Sequence, residues 1–144
     1  MIQIFTTAHC YPNPGGPIHT AYTVRENNLL VDSKVNLIDI ADSTNIIGGF
    51  LAVKDGLQWL SDHQPADKKI QVFTDQQFIR KYLEWGYTEQ VEKLYQRYSN
   101  ETLELRYALK REQGYTIQLH WINGQENEEV KSILADYRRV HVLH

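Results

Sequence analysis

Polar and apolar positions alternate at the start of the chain, with Ile2, Ile4 and Thr6 on one face, and this predicts a strand over residues 2–7. Tyr11-Pro12-Asn13-Pro14-Gly15-Gly16-Pro17 is a turn, because proline fixes φ and glycine permits its positive values. Two further strands are predicted at 19–25 and 28–38, joined by a hairpin turn at Glu26-Asn27-Asn28. The period then changes. Behind the cap candidates Asp42, Ser43, Thr44 and Asn45, the apolar residues Ile46, Phe50, Val53, Leu57 and Leu60 fall at offsets of 4, 7, 11 and 14, one face of a helix. Gln64-Pro65-Ala66-Asp67 ends it.

The second half repeats the change of period. A strand is predicted over 69–74 and a helix over 76–85 that turns Phe78, Ile79, Tyr82 and Leu83 inward. Val91, Leu94, Tyr95 and Tyr98 mark another helix, and Ser99-Asn100-Glu101 starts a further one that runs to about residue 112. After Gly114 come a strand over 115–122 and a last helix over 126–139, with Val130, Ile133, Leu134 and Tyr137 on one face. The order is βββ-α-β-α-α-α-β-α. A helix between the third and fourth strands is a crossover and implies a mixed sheet. The expected architecture is one three-layer α/β domain over residues 1–140, with 141–144 as a C-terminal tail.

Composition narrows the picture modestly. The 144 residues suffice for one core, and 42% hydrophobic with 23% charged residues is the balance of a soluble globular protein. A formal charge of −3 argues against strong, purely electrostatic binding to nucleic acid. One cysteine, Cys10, excludes an internal disulfide framework and fits a reducing compartment. The opening Met1-Ile2-Gln3-Ile4-Phe5 has neither a charged leader nor a long apolar run, so the expectation is a cytoplasmic protein with no membrane partner.

Chemistry concentrates at Asp75, which ends the apolar strand Ile70-Gln71-Val72-Phe73 just before a helix, a common position for a metal ligand or catalytic acid. The competing reading is a helix cap. His9 and Cys10 are too few for a zinc site. The aromatic residues Tyr82, Trp85, Tyr87, Tyr95, Tyr98 and Tyr107 suit base stacking, but most follow the spacing of a helix core.

Four stretches, in order, resemble the type 1 ribonuclease H family. They are Phe5-Thr6-Thr7-Ala8-His9-Cys10 with its Asn13-Pro14-Gly15 turn, Asn45-Ile46-Ile47-Gly48, Thr74-Asp75-Gln76-Gln77, and Trp121-Ile122-Asn123-Gly124-Gln125-Glu126-Asn127-Glu128. The resemblance covers nearly the whole chain. It implies a ribonuclease H-like fold, a five-stranded mixed sheet with helices on both faces. In the family, two Mg²⁺ ions held by four carboxylates hydrolyse the RNA of an RNA–DNA hybrid. Here the four positions carry Thr7, Gly48, Asp75 and Lys131, so one acid is kept. Threonine is a weak neutral ligand, glycine offers no side chain, and lysine repels a cation. The implied replacement is an ion pair between Lys131 and Asp75 in place of metal. The positions that contact hybrid in the family carry Cys10, Asn13, Ser43, Asn45 and Gln77, and side-chain amides can read a 2′-hydroxyl. A basic loop that family members often insert between the second and third helices is replaced by the short Gly86-Tyr87-Thr88-Glu89-Gln90, which has no Lys or Arg.

The resulting expectation is a catalytically degenerate ribonuclease H-like domain that binds RNA–DNA hybrid or structured nucleic acid without cutting it and needs no cofactor. Two alternatives stand beside it. One is a metal-dependent ribonuclease H using Mg²⁺ or Mn²⁺ on Asp75, Glu126, Glu128 and Thr7. The other is a protein-interaction domain. Turn and cap roles explain Asn13, Ser43 and Asn45 equally well.

Overall fold

The computed structural model describes residues 1–40, 43–85 and 93–141. Five strands and four helices follow one another as β1 (Ile2–Cys10), β2 (Ile18–Glu26), β3 (Leu29–Ile38), α1 (Asn45–His63), β4 (Lys69–Thr74), α2 (Gln77–Trp85), α3 (Lys93–Gln113), β5 (Thr116–Trp121) and α4 (Glu128–His141). The sheet order is β3-β2-β1-β4-β5. β1 pairs antiparallel with β2 and parallel with β4, and β5 is parallel to β4, so the expected mixed sheet is present. Asp42, the loop over 86–90, Val91 and residues 142–144 of the tail lie outside the described residues.

Local chemistry sets the joints. Asn27 and Asn28 take consecutive positive φ values of 52° and 68°, the conformation that closes a tight hairpin between right-twisted strands. Of the cap candidates, Thr44 caps α1: its hydroxyl accepts the Ile47 N–H at 3.2 Å. Gln64 closes the helix in the left-handed region, and its N–H returns to the Leu60 carbonyl at 2.9 Å.

One predicted helix break is absent. The residues 93–113 form a single helix, not two. Ser99-Asn100-Glu101 has the composition of a helix start, yet no proline or glycine interrupts the segment. Ser99 is buried inside the helix, and the Thr102 hydroxyl bonds back to the Tyr98 carbonyl at 2.8 Å. The helix order after β4 is therefore α-α-β-α. β1 also extends three residues beyond its predicted end, to Cys10, because β2 pairs with it along its whole length.

The two faces of the sheet are covered by different helices. Ile2, Ile4, Ile18, Val24, Ile70 and Val72 meet Ile47, Phe50, Val53, Leu57 and Leu60 of α1, with α2 and α3 beside them. A smaller cluster of Ala21, Val130 and Leu134, flanked by Phe5 and Val35, seats α4 on the opposite face. Arg106 of α3 ties the far edge together. Its guanidinium donates to the Leu83 carbonyl at the end of α2 (2.7 Å) and to the Ile117 carbonyl of β5 (2.8 Å).

His9 and His19 face each other across β1 and β2 beneath the end of α4, with the His19 ring 6.1 Å from that of Tyr137. Burial, and then the Arg138 guanidinium, push both imidazoles below their ordinary range. The unfolded chain then binds more protons than the folded one as pH drops below the unperturbed value of about 6.5. Stability is thus complete above that pH and lost as the solution is acidified through the lower folded values. One proton contributes a slope of at most about 1.4 kcal/mol per pH unit. Urea titrations between about pH 7.5 and pH 5 are expected to show falling stability in the natural chain and a flatter profile in His19→Gln.

Candidate functional site

Parallel pairing of β1 with β4 brings the exit of β4 beside the middle of β1, with Thr6 opposite Thr74. The next residue on each chain is therefore placed for contact. The Thr7 hydroxyl donates to Asp75 Oδ2 at 3.0 Å. A third element reaches the same oxygen: Asn127, just before α4, donates its Nδ2 to Asp75 Oδ2 at 3.2 Å and to the Thr6 carbonyl at 2.9 Å. Asn127 is buried, and its Oδ1 has no partner among the described residues. Trp121, at the end of β5, donates its indole N–H to the Asp75 carbonyl at 3.2 Å while 43% of its surface stays exposed. Asp75 does not cap α2. The Gln76 N–H bonds the Thr74 hydroxyl instead, at 3.2 Å.

Gly48 and Lys131 are arranged differently from Thr7. Gly48 lies on the buried side of α1 where it crosses β1 and β2. A Cβ added there would come within 2.9 Å of Ala8 Cβ and 3.0 Å of Ile18 Cγ2, so helix and sheet have closed over the place of a side chain. The ammonium of Lys131 lies over Gly124, 2.9 Å from where that residue's Cβ would stand. Lys131 is exposed and makes no ion pair with Asp75, whose side chain is held by neutral donors instead. The expected Lys131–Asp75 pair is thus replaced by Thr7 and Asn127. Glu126 and Glu128 are also exposed, on different sides of the start of α4, one near Phe5 and Arg25 and the other near Lys131.

Among the described residues, no group of three or more His, Cys, Asp or Glu side chains gathers into a set able to hold a metal. Two Mg²⁺ ions about 4 Å apart require several carboxylate oxygens. One carboxylate, with an oxygen already accepting two neutral hydrogen bonds, does not fit that pair.

Of the residues matching the hybrid-contacting positions, Cys10, Asn13 and Asn45 join with Gln76 in a hydrogen-bonded ring at the same end of the sheet, and Gln77 takes no part in it. Asn45 Oδ1 accepts the Cys10 N–H at 2.8 Å, the Asn45 N–H donates to Asn13 Oδ1 at 3.2 Å, and Gln76 Nε2 donates to the Asn45 carbonyl at 3.0 Å. Beneath it the Ser43 hydroxyl donates to the Gly16 carbonyl, and Cys10 Sγ lies 3.4 Å from that oxygen. A Cβ at Gly16 would overlap the Tyr11 carbonyl at 2.2 Å, so this turn requires glycine there. Cys10 and Ser43 are buried and shape the turn from below, whereas Asn13 and Gln77 are exposed and Asn45 is half-buried. The ring uses the oxygens of both asparagine amides and leaves their NH₂ groups as donors suited to a sugar hydroxyl or a base-edge acceptor. Arg80, Lys81, Lys110 and Arg111 are all exposed. Of the aromatic residues, Tyr82 and Tyr95 pack edge-on to Phe78 and Tyr98 is buried, while Tyr107 is 53% exposed. Asn127 and Trp121 are the residues sequence reasoning left without a role. Their signal is an amide between two acids at a helix start, and a tryptophan paired in register with the residue before Asp75.

No protein-family model matches the sequence, and no curated protein matches it as a relative. Solved structures do. The ribonuclease H1 of the halophilic archaeon Halobacterium salinarum superposes with a TM-score of 0.78 at 16% identity, covering 96% of this chain and 98% of that one. LC11 ribonuclease H1, solved in complex with RNA/DNA hybrid, gives 0.75 at 16% identity over 94% and 95% of the two chains. The N-terminal ribonuclease H domain of a Mycobacterium tuberculosis protein, fused to maltose-binding protein, gives 0.77 at 13% identity over 96% and 94%. At these identities the likeness is one of fold.

The closed space at Gly48 has a measurable consequence. Gly48→Glu is expected to destabilise the protein by about 1–3 kcal/mol through overpacking against Ala8 and Ile18. Chemical denaturation monitored by circular dichroism reads this directly as a lowered midpoint.

Proposed function

We propose that this chain, which has the ribonuclease H fold, is a catalytically degenerate member of that architecture that binds RNA–DNA hybrid or structured nucleic acid without cleaving it. The observation that carries the reading is the donor set at Asp75. Where a two-metal site needs converging carboxylates, Thr7 and Asn127 supply neutral hydrogen bonds to one retained acid. Binding is supported by the surface beside it, where Asn13 and Asn45 brace an intact turn, Gln77 is exposed at the start of α2 and Trp121 presents an exposed indole. Amide donors match the 2′-hydroxyl, and an aromatic face stacks any base. The formal charge of −3 makes the electrostatic share small, so affinity rests on these short-range contacts and its salt dependence is shallow.

A labelled hybrid tests both halves. Retention with no hydrolysis in Mg²⁺ or Mn²⁺ is expected. Cleavage that disappears in Asp75→Asn overturns the reading. Gln77→Ala removes an exposed amide outside the internal bonds of the ring and is expected to weaken binding about two- to tenfold, the worth of one hydrogen bond.

Trp121 gives a second, independent readout. Trp121→Ala is expected to weaken the complex about five- to 150-fold, equivalent to roughly 1–3 kcal/mol of stacking. Trp121→Phe keeps an aromatic face and most of the affinity. Hybrid titration should also quench fluorescence that is absent from the Trp121→Phe protein.

A further inference from the structure

Apolar side chains left at the surface are not spread evenly. Of nine large exposed hydrophobic residues among the described ones, four stand on β3: Leu29 (69%), Leu30 (41%), Val31 (44%) and Leu37 (56%). Among the described residues β3 is also the terminal strand of the sheet; it is ten residues long, with one bulge at Val31, and its outer edge has no strand beside it. A long apolar edge is a template for another strand.

We propose that β3 pairs antiparallel with β3 of a second copy of this chain, about a two-fold axis passing at Ser33, so that the two sheets become one ten-stranded sheet. The sequence of the strand is self-complementary about that point. Ser33 meets Ser33, Asp32 meets Lys34 and Val31 meets Val35 of the second copy, up to the bulge that β3 makes at Val31 against β2. Opposite charges and like apolar groups thus face each other on both sides of the axis, and such cross-strand pairs stabilise a sheet. Moving the axis one residue either way sets two Asp32 carboxylates or two Lys34 ammoniums face to face, which is unfavourable. The charge pattern therefore selects one register.

The groups at the axis are prepared for it. Lys34 is exposed and has no carboxylate within ion-pair distance among the described residues. Asp32 is held in position from α1: Trp59 Nε1 donates to its Oδ2 at 2.7 Å, and His63 Nε2 lies 3.9 Å from the same oxygen. Its other oxygen accepts the Ser33 N–H at 2.8 Å. On pairing, that N–H turns to the Ser33 carbonyl of the second copy and leaves Asp32 Oδ1 to the incoming Lys34. Val35 also packs against the cluster under α4, so the paired strands continue the apolar face already formed there.

Sedimentation equilibrium of the whole chain up to about 200 µM, far above a micromolar dissociation constant, tests the proposal. The expected result is a mass that climbs from one chain toward two. Lys34→Glu should weaken the association at least tenfold, since it sets a carboxylate against Asp32. Val31→Lys, at an exposed position that meets Val35 of the second copy, should do the same. Ser33→Cys should form a covalent dimer on mild oxidation, and the exposed control Lys68→Cys should not. A mass of one chain throughout, or a dimer that survives both charge variants, overturns the proposal. Neither result depends on whether nucleic acid is bound.

Discussion

One carboxylate oxygen organises this end of the molecule. Asp75 Oδ2 accepts from Thr7 on β1 and from Asn127 at the start of α4, while the Asp75 carbonyl accepts from Trp121 on β5. Three elements separated from it by up to 68 residues of sequence are therefore tied to the exit of β4. A buried amide such as Asn127 needs these partners, because an unpaired polar group away from water costs about 1–3 kcal/mol. The geometry follows from strand pairing. Because β1 and β4 run parallel in register, the exit of β4 must lie against Thr6 and Thr7 of β1, and whatever side chains stand there must be compatible. In this chain compatibility is reached with a hydroxyl and an amide, which bring no charge to be neutralised.

Compatibility at Gly48 is reached by packing. Without a side chain at that point α1 approaches the sheet until Ala8 and Ile18 fill the gap. The site is thus well packed on one side of the sheet and hydrogen-bonded on the other. β1 joins the two faces, since its Thr6 and Thr7 point in opposite directions.

The sequence made much of this readable, for identifiable reasons. β4 was bounded correctly at residues 69 and 74 because its alternation is strict and a proline-containing turn precedes it. The hairpin was readable from two adjacent asparagines. α3 was divided in two because Ser99-Asn100-Glu101 imitates a helix start, and only the tertiary contact that buries Ser99 settles the matter. At the site, Asp75 was placed by a strand exit, which is local, and Thr7 by the family resemblance. Lys131 was expected to meet Asp75, and Asn127 took that place. A helix presents a given surface with residues three or four apart, and the angle at which α4 enters the sheet, set by Val130 and Leu134 against Ala21, decides which of them faces inward. That angle has no one-dimensional signature. Nor does the burial of Cys10 and Ser43, which depends on how the 11–16 turn folds over the start of α1.

The clamp made by Arg106 bears on how the molecule could be remodelled. By holding the last turn of α2 and strand β5 to α3, it joins α2 to α3 through a contact that does not pass along the connection between them. Loop-closure entropy rises only slowly with length, about 0.6 kcal/mol for each doubling. Between Trp85 and Lys93 the fold therefore offers a graft point, where a longer or more basic segment can be inserted without loosening the domain that carries it.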